Sequence, residues 1–196
     1  MFKFTKTRSL GMSILVLFTT ICTQAQIYSV GLELSYPIPT DRNFIGKNYQ
    51  GIADFGIRFR MNNMNSINFG LSLNAGMLSQ KTDEGSFNVN AYTIQPRLYF
   101  GLNHLTIERF HPYVSGGYSL LISKVSGSSS RPEISDENET EGGINFTMGI
   151  AYDISPSWYF HGCYDFIKIG VDNDLPKVAY NTNINMIKFG IGHRFK

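Results

Sequence analysis

The sequence predicts an all-β fold, an eight-stranded antiparallel up-and-down β-barrel that crosses a membrane. Apolar residues recur at every second position in eight segments. A period of two indicates strands, because successive side chains leave a strand on opposite sides. The connections alternate between long polar loops and mostly short turns, as in membrane barrels. The last segment ends on an aromatic residue, and we expect it to close the barrel against the first strand.

The predicted strands share one design. The apolar face of several strands ends in Tyr, Trp or Phe, which suits a lipid-facing surface with aromatic residues at both membrane interfaces. The opposite face carries Gly, Ser, Asn and charged residues, which suits a lumen. After the N-terminal region, no run approaches the ~20 apolar residues of a transmembrane helix. The strands are predicted at residues 27–36, 52–61, 66–77, 91–102, 113–123, 144–152, 158–169 and 185–195.

Prolines and polar segments set the limits of these strands. Pro37 and Pro39 are expected to end the first strand, because proline lacks the N–H that a sheet needs, and a polar loop should follow to about residue 50. Pro96 predicts a bulge or local bend inside the fourth strand. Residues 124–143 should form a mobile loop, because they cannot bury apolar area. The other connections are predicted at residues 62–65, 79–89, 102–110, 154–157 and 171–180.

The first 25 residues are predicted to be a cleaved signal peptide. Three basic residues precede an apolar run at 10–21 that is too short to span a bilayer, and Ala25 offers the small side chain that a signal peptidase needs. The chain is therefore expected to be exported. Residues 26–196 should form one barrel domain.

The composition of the remaining chain bears on its partners and on disulfides. The predicted signal peptide holds three of the 17 Lys and Arg residues and no acid, which leaves 14 basic residues against 15 acidic ones. This balance gives no reason to expect a nucleic-acid partner. Cys163 is the one cysteine after residue 25, so no internal disulfide is expected. We also expect no cofactor.

The closing strand carries a family resemblance. Residues 185–195 read N-M-I-K-F-G-I-G-H-R-F, and their apolar face consists of Ile187, Phe189, Ile191 and Phe195. This segment resembles the C-terminal strand of bacterial outer-membrane β-barrels, whose alternating residues and terminal aromatic act as the assembly signal. His193 stands where an aromatic residue is more usual. The resemblance implies that Phe195 is the assembly signal and that the barrel-assembly machinery is a partner.

The whole segment 26–196 resembles the outer membrane protein β-barrel domain family, which includes the OmpA and opacity-protein transmembrane domains. The resemblance implies the outer membrane of a Gram-negative bacterium as the location and its lipid as the surroundings. Some small outer-membrane barrels are enzymes, but no catalytic motif of the family can be matched in this sequence. We therefore expect a monomer that is not an enzyme and that has a structural or surface-interaction role. Four loops outside the cell would then offer a surface to an extracellular ligand.

The inward faces of the predicted strands carry eight charged residues. The lumen of an eight-stranded barrel is just wide enough for side chains, and charges buried there must pair. We therefore favour a lumen filled by these side chains, with a narrow gated pore as the alternative, and we do not expect a wide porin channel. The residues are Glu33, Asp54, Arg58, Arg60, Arg97, Asp165, Lys188 and Arg194.

Two other groups could carry chemistry. His161 and Cys163 face inward beside Asp165, and both residue types serve as metal ligands or catalytic partners. The sequence offers no further ligands and no Ser/His/acid set, so we expect an ordinary polar cluster with no catalytic, cofactor or metal site. The acidic segment 133–141 could hold Ca²⁺ through carboxylates. It lacks the order of an EF-hand loop, so we favour a solvated charge run.

Two alternative functions fit the alternation. A small passive channel would need a continuous water path past the lumen charges. A soluble calycin-like barrel would bind a lipid inside, with its apolar faces turned inward. Alternation alone does not say which face is inside. The signal peptide, the terminal Phe and the aromatic ends of the apolar faces favour the membrane barrel.

Overall fold

The chain folds into a closed antiparallel barrel. The computed structural model describes residues 28–62, 67–81, 87–102, 109–127, 138–170 and 178–195. Each strand pairs with its neighbours in sequence, and the last pairs with the first, which confirms the predicted eight-stranded up-and-down barrel. The elements are β1 (Tyr28–Thr40), α1 (Phe44–Asn48), β2 (Tyr49–Asn62), β3 (Ile67–Gln80), β4 (Phe87–Leu102), β5 (Phe110–Gly127), β6 (Asn138–Asp153), β7 (Trp158–Ile169), α2 (Ala179–Thr182) and β8 (Asn183–Phe195).

The apolar faces point outward, as predicted. In β3, for example, Leu71 and Leu73 are exposed on the outside of the barrel, whereas Ser72 and Asn74 are buried inside. The same alternation runs around the barrel and produces an apolar outer surface over a largely polar interior. The alternative of a soluble barrel with its apolar faces inward is therefore wrong. In the described ranges, no helix has the length and apolar character needed to cross a membrane.

The two ends of the barrel differ. We call the end that carries α1, α2 and the longest connections the outer end, and the end that carries the turn at 154–157 the inner end. At the inner end, the predicted turn at 154–157 is confirmed by hydrogen bonds from the backbone N–H groups of Ile154 and Ser155 to the carbonyl of Trp158, at 3.0 and 3.1 Å. The strand predicted at 158–169 is β7 itself.

The prediction that prolines end the first strand is wrong, because β1 continues to Thr40. Its pairing with β8 extends to Thr40 opposite Asn185, whereas its pairing with β2 stops at Ser35. Pro37 and Pro39 thus lie beyond the β1–β2 ladder, where a missing N–H removes no hydrogen bond from it. The nearby register shift in β2, between Gly51 and Ala53, accompanies this separation.

Pro96 has a smaller effect than predicted. It pairs with Leu73 of β3 in regular register. On the β5 side, no pairs form at positions 95 and 96, yet the offset between strands is the same before the gap (Ile94 with Leu120) and after it (Arg97 with Gly117). Pro96 therefore interrupts the ladder between β4 and β5, but the register shift of a bulge is absent.

Several hairpins extend further outward than predicted, because backbone pairing does not require an apolar side chain. β3 reaches Gln80, β5 reaches Gly127 and β6 begins at Asn138. Part of the loop predicted at 124–143 is therefore strand, including Glu139 and Glu141. The predictions for residues 1–25, 63–65, 128–137 and 171–177 lie outside the described residues.

A short helix occupies the loop expected before residue 50. Asp41 has a positive φ of 79°, a conformation that Asp tolerates in turns. Asn43 then caps α1, because its side-chain Oδ1 accepts a hydrogen bond from the backbone N–H of Gly46 at 2.6 Å. Lys81 Nζ donates to the carbonyl of Gly46 at 2.7 Å, which fastens α1 to the end of β3.

An apolar core fills the lumen at the outer end. It was not predicted, because the inward faces were expected to be polar. α1 contributes one residue and the strand ends contribute the others. We call this group the outer apolar core, and it consists of Ile45, Tyr49, Leu78, Ala91, Leu121, Ile167, Ile169, Ile184 and Met186.

Candidate functional site: the barrel lumen

The lumen is filled in layers whose order can be followed along β7. Ile167 belongs to the outer apolar core, Asp165 to a middle layer of ion pairs, and Tyr159 to an inner layer rich in Arg and Tyr. All three side chains are buried. The sequence predicted charged residues in the lumen but not this division.

The middle layer joins four charged residues from four strands. Lys188 Nζ lies 2.7 Å from Asp54 Oδ2 and 2.9 Å from Asp165 Oδ2. Arg97 Nη2 donates to both carboxylate oxygens of Asp165, at 2.8 and 2.7 Å. Two cations therefore face two carboxylates, so the formal charges of this layer cancel. Pairing of this kind is required for charges removed from water.

Neutral side chains complete the hydrogen bonds of the middle layer. Thr147 Oγ1 donates to Asp165 Oδ1 at 2.9 Å, and Asn74 Nδ2 donates to Asp54 Oδ1 at 2.9 Å. The layer also contains Gln95, Ser119 and Asn145, which link Arg97 and Lys188 to one another through amide and hydroxyl groups. Side chains from β2 to β8 thus take part. Such a network holds the walls of the barrel together across the lumen.

The inner layer is built around Glu33 and Arg58. Arg58 Nη2 lies 2.8 Å from Glu33 Oε1 and 3.0 Å from Oε2. Tyr159 donates its hydroxyl to Glu33 Oε1 at 2.6 Å. The guanidinium carbon of Arg58 lies 4.3 and 4.5 Å from the ring centroids of Tyr99 and Tyr113, within the range of cation–π interactions.

Two more arginines lie towards the inner end. Arg194 Nη1 lies 2.7 Å from Asp153 Oδ1, and the other oxygen of Asp153 lies 2.9 Å from His111 Nε2. The guanidinium carbon of Arg194 is 4.3 Å from the Tyr159 ring centroid. Arg60 lies further from its nearest ring, 5.7 Å from the Tyr99 centroid. The eight charged residues predicted to face inward therefore lie in two layers and at the inner end.

The tyrosines of the inner layer were not selected as site residues from the sequence. Tyr99, Tyr113 and Tyr159 are buried and surround the arginines. The sequence did contain a signal for them. Each Tyr lies on the polar face of an alternating strand, where most residues are small or polar, so a large aromatic side chain there is unusual. Their hydroxyl groups and rings allow an aromatic residue to share a lumen with cations.

His161 and Cys163, considered above for metal or catalytic chemistry, lie on the lumen side of β7. His161 Nε2 lies 3.2 Å from Ser35 Oγ, and Cys163 is a free, partly buried thiol. Within the described ranges, no three His, Cys, Asp or Glu side chains are arranged to hold a metal ion. Of the acidic segment considered for Ca²⁺, Glu139 and Glu141 lie in β6 and residues 133–137 lie outside the described residues.

Structural comparisons agree with the barrel. The structure of Neisserial surface protein A aligns with 86% of this chain and over 96% of its own length, with 18% identity and a TM-score of 0.56. Ail, the attachment invasion locus protein of Yersinia pestis, has 15% identity and a TM-score of 0.55, with 86% and 97% coverage. The N-terminal barrel of Pseudomonas aeruginosa OprF has 17% identity and a TM-score of 0.50, with 85% and 97% coverage. At these identities the likeness concerns the fold.

The sequence comparison identifies the family. No curated protein matches the chain. Residues 13–195 match the family described as "Outer membrane protein beta-barrel domain", and this match includes every strand of the barrel. The chain therefore belongs to the outer membrane protein β-barrel domain family and is an integral outer-membrane protein whose lumen is filled by polar and charged side chains and, at the outer end, by the outer apolar core.

Proposed function

We propose that the chain is a non-conducting, non-enzymatic barrel that has a structural role in the outer membrane and interacts with a ligand outside the cell. The observation that carries this proposal is the closure of the lumen by successive layers of packed side chains. The outer end, with its long connections, faces the outside of the cell in this proposal. The barrel works as a monomer and is inserted by the barrel-assembly machinery.

The outer apolar core supports the absence of conduction. Leu78, Ile167 and Met186 are among its members, and each is almost completely buried. A channel would need these side chains to leave the lumen and admit water to an apolar surface. Below them, the buried ion pairs of Asp165 would also have to separate, and breaking one buried pair costs about 3–5 kcal/mol. The small passive channel is therefore not the function that we propose.

The surface of the outer end supports an interaction role. Phe44 of α1 and Tyr180 of α2 are 46% and 41% exposed, and their ring centroids lie 6.5 Å apart. Lys47 Nζ lies 5.3 Å from the Tyr180 ring centroid. We call these three residues the outer aromatic patch. Exposed aromatic and cationic side chains are common in protein interaction sites.

One structural neighbour was solved with a ligand. Ail of Yersinia pestis was crystallised in complex with the heparin analogue sucrose octasulfate, and that structure has a TM-score of 0.56 and 14% identity to this chain. A heparin-like polyanion is therefore a reasonable first probe for this chain too, since Lys47 and Lys81 are exposed at its outer end. The complex of Ail suggests which ligand to test first, and it does not identify the ligand of this chain.

Conductance tests the first half of the proposal. The purified full chain, folded in detergent, is inserted into planar bilayers beside an open porin treated in the same way. We expect the porin to show stable single-channel steps and this chain to show none. Heat-modifiable migration on gels confirms that the inserted protein is folded. Stable channel steps from folded protein would contradict the proposal.

Attachment of cells tests the second half. Cells that display the wild type or a Phe44→Ser/Tyr180→Ser double variant are compared on heparin-coated and uncoated plates. We expect the double variant to reach the surface in equal amounts, because both residues are exposed, and to attach less. A Phe189→Ser variant, altered on the lipid-facing side, serves as the control. Equal attachment of all strains would refute a role for the outer aromatic patch.

A further inference from the structure

Three arginines converge at the inner end of the lumen. Arg58 and Arg60 lie on one face of β2, and Arg194 lies on β8. Gly31 of β1 is paired with Arg58 on one side and with Arg194 on the other. Because Gly31 has no side chain, nothing from β1 separates these two cations, and the Tyr159 hydroxyl lies only 3.3 Å from where a Cβ would stand. We call Arg58, Arg60 and Arg194 the inner arginine cluster.

The inner arginine cluster has fewer carboxylates than cations. Glu33 is bound by Arg58 and Tyr159, and Asp153 is bound by Arg194 and His111. Arg60 makes no ion pair with any described residue. It is close enough to the other two arginines of the cluster to be repelled by them, and it is attracted more weakly by Glu33, which is already paired with Arg58. Like charges held close together destabilise a fold unless something compensates them. In the middle layer, by contrast, cations and carboxylates are equal in number.

Several N–H groups of the cluster have no partner among the described residues. They are Nε and Nη1 of Arg58, Nε of Arg60, and Nε and Nη2 of Arg194. All five atoms are buried, and Arg58 as a whole is only 5% exposed. A buried donor without a partner destabilises the folded state, because it has lost its hydrogen bonds to water. Such a concentration of unsatisfied donors within a folded lumen favours a ligand that accepts hydrogen bonds.

We propose that the inner arginine cluster binds the phosphate group of an anionic ligand. A guanidinium presents its N–H groups in a planar fork that matches the oxygens of phosphate. A phosphate group offers three acceptor oxygens and more negative charge than a carboxylate, which suits several donors and an excess cation. The outer apolar core closes the opposite end, so the ligand enters through the inner end. Its approach from the periplasm rests on the orientation proposed above, whereas the site itself does not.

Two sources can supply such a group, namely free phosphate and the headgroup of a phospholipid in the inner leaflet. The full chain is labelled at its arginine side chains with ¹⁵N and folded in a non-ionic detergent that contains no phosphate. Inorganic phosphate is then titrated at constant ionic strength, with chloride as the reference anion. In parallel, the chain is placed in nanodiscs of phosphatidylcholine with and without phosphatidylglycerol.

We expect saturable shifts of the Nε–H signals of Arg60 and Arg194 with phosphate and not with chloride. The same shifts on addition of phosphatidylglycerol would assign the site to a headgroup, and shifts with inorganic phosphate alone would assign it to the free anion. Arg60→Gln should weaken binding about tenfold or more, because one charge-assisted hydrogen bond is lost. Lys124→Gln, which removes one exposed charge at the outer end, should leave binding unchanged.

The control variants keep the proposal open to refutation. Arg60 is in no ion pair with the described residues, so its variants should retain heat-modifiable migration. If Arg60→Gln fails to fold, Arg60→Lys is used in its place. Lys keeps the positive charge but lacks the planar set of guanidinium N–H groups, so this variant should still bind phosphate more weakly than the wild type. Absence of saturable shifts in the wild type would overturn the proposal. Equal loss of binding in the Arg60→Gln and Lys124→Gln variants would overturn it as well.

Discussion

The guanidinium of Arg97 donates to both carboxylate oxygens of Asp165 across the lumen, at 2.8 and 2.7 Å. Arg97 lies on β4 and Asp165 on β7, and these strands are not neighbours in the sheet. The contact therefore connects distant parts of the barrel wall through its interior. Lys188 Nζ lies 2.9 Å from Oδ2 of the same carboxylate. The single negative charge of Asp165 therefore interacts with two positive charges.

Removal of the Asp165 charge should strongly destabilise the barrel. In Asp165→Asn, Arg97 and Lys188 keep Asp54 as the one carboxylate of the middle layer. Leaving a buried charge without its partner costs about 3–5 kcal/mol. The measurement is urea unfolding in lipid vesicles, followed by the heat-modifiable band on gels.

Glu139→Gln provides the matched control for this change. Glu139 also lies in a strand, but its side chain is exposed near the outer end of β6. An exposed substitution of this kind should change the free energy of unfolding by no more than about 0.5 kcal/mol. Similar effects of the two variants would show that Asp165 is not held by buried ion pairs.

The outer apolar core should respond to truncation as a protein interior does. Ile167 is 1% exposed inside the lumen, whereas Ile144 is 63% exposed towards lipid. Ile167→Ala should cost about 2–5 kcal/mol, because it loses apolar burial and also leaves a cavity. Ile144→Ala loses transfer energy alone, since lipid chains fill the vacated space. Urea unfolding of both variants gives the comparison, and a larger cost at Ile144 would contradict a packed core in the lumen.

The faces of the strands could be predicted because alternation is local. The side of the sheet on which Leu71 or Ser72 lies can be inferred from the alternation of its neighbours in sequence. The structure places both side chains as expected. The strand of β7 was predicted with its observed bounds because Trp158 follows a clear turn and the alternation ends at Ile169. His193, an exception in the aromatic pattern, packs edge-to-face between Trp158 and Phe195 at 4.7 and 4.5 Å, so it fills an aromatic position.

The contents of the lumen could be predicted only in part, because they depend on contacts between distant residues. The sequence marks Arg97 and Asp165 as inward charges, but their meeting depends on barrel closure and on the register of several ladders. The outer apolar core could not be predicted for a different reason. When Ile167 and Ile169 face inward near apolar residues that face outward, the alternation loses its contrast. The continuation of β1 through Pro37 depended on where the β1–β2 ladder stops, which is also a nonlocal property.

A charge on the lipid-facing surface should be costly in proportion to its depth. Leu71 lies near the middle of β3 and is 57% exposed, and Ile67, on the same face, begins the strand at the inner end. Leu71→Arg should cost about 2–4 kcal/mol near the bilayer midplane, whereas Ile67→Arg should cost about 0–1 kcal/mol near the interface. Folding free energies in vesicles of defined thickness provide the measurement. Equal costs would mean that β3 does not cross the bilayer as described.

The seam between β1 and β8 leads to the last prediction, which concerns Phe195 as an assembly signal. Phe195 is paired with Val30, and this pair lies at the inner end of the seam that closes the barrel. Its ring contacts His193, and His193 in turn contacts Trp158. If the seam fails to form, two strand edges remain open in lipid, where each unsatisfied backbone group costs several kcal/mol.

We therefore expect Phe195→Ala to reduce the amount of folded protein in the outer membrane several-fold, while Phe195→Tyr retains an aromatic ring and assembles normally. Phe189→Ala is the matched control, because Phe189 lies on the same face of β8, is 58% exposed and is also paired with β1. It loses a similar apolar area but is not at the end of the strand. The measurement is the protease-protected, heat-modifiable protein in outer-membrane fractions. If Phe195→Ala and Phe189→Ala lower that amount equally, Phe195 contributes lipid-facing area alone, and its role as an assembly signal is refuted.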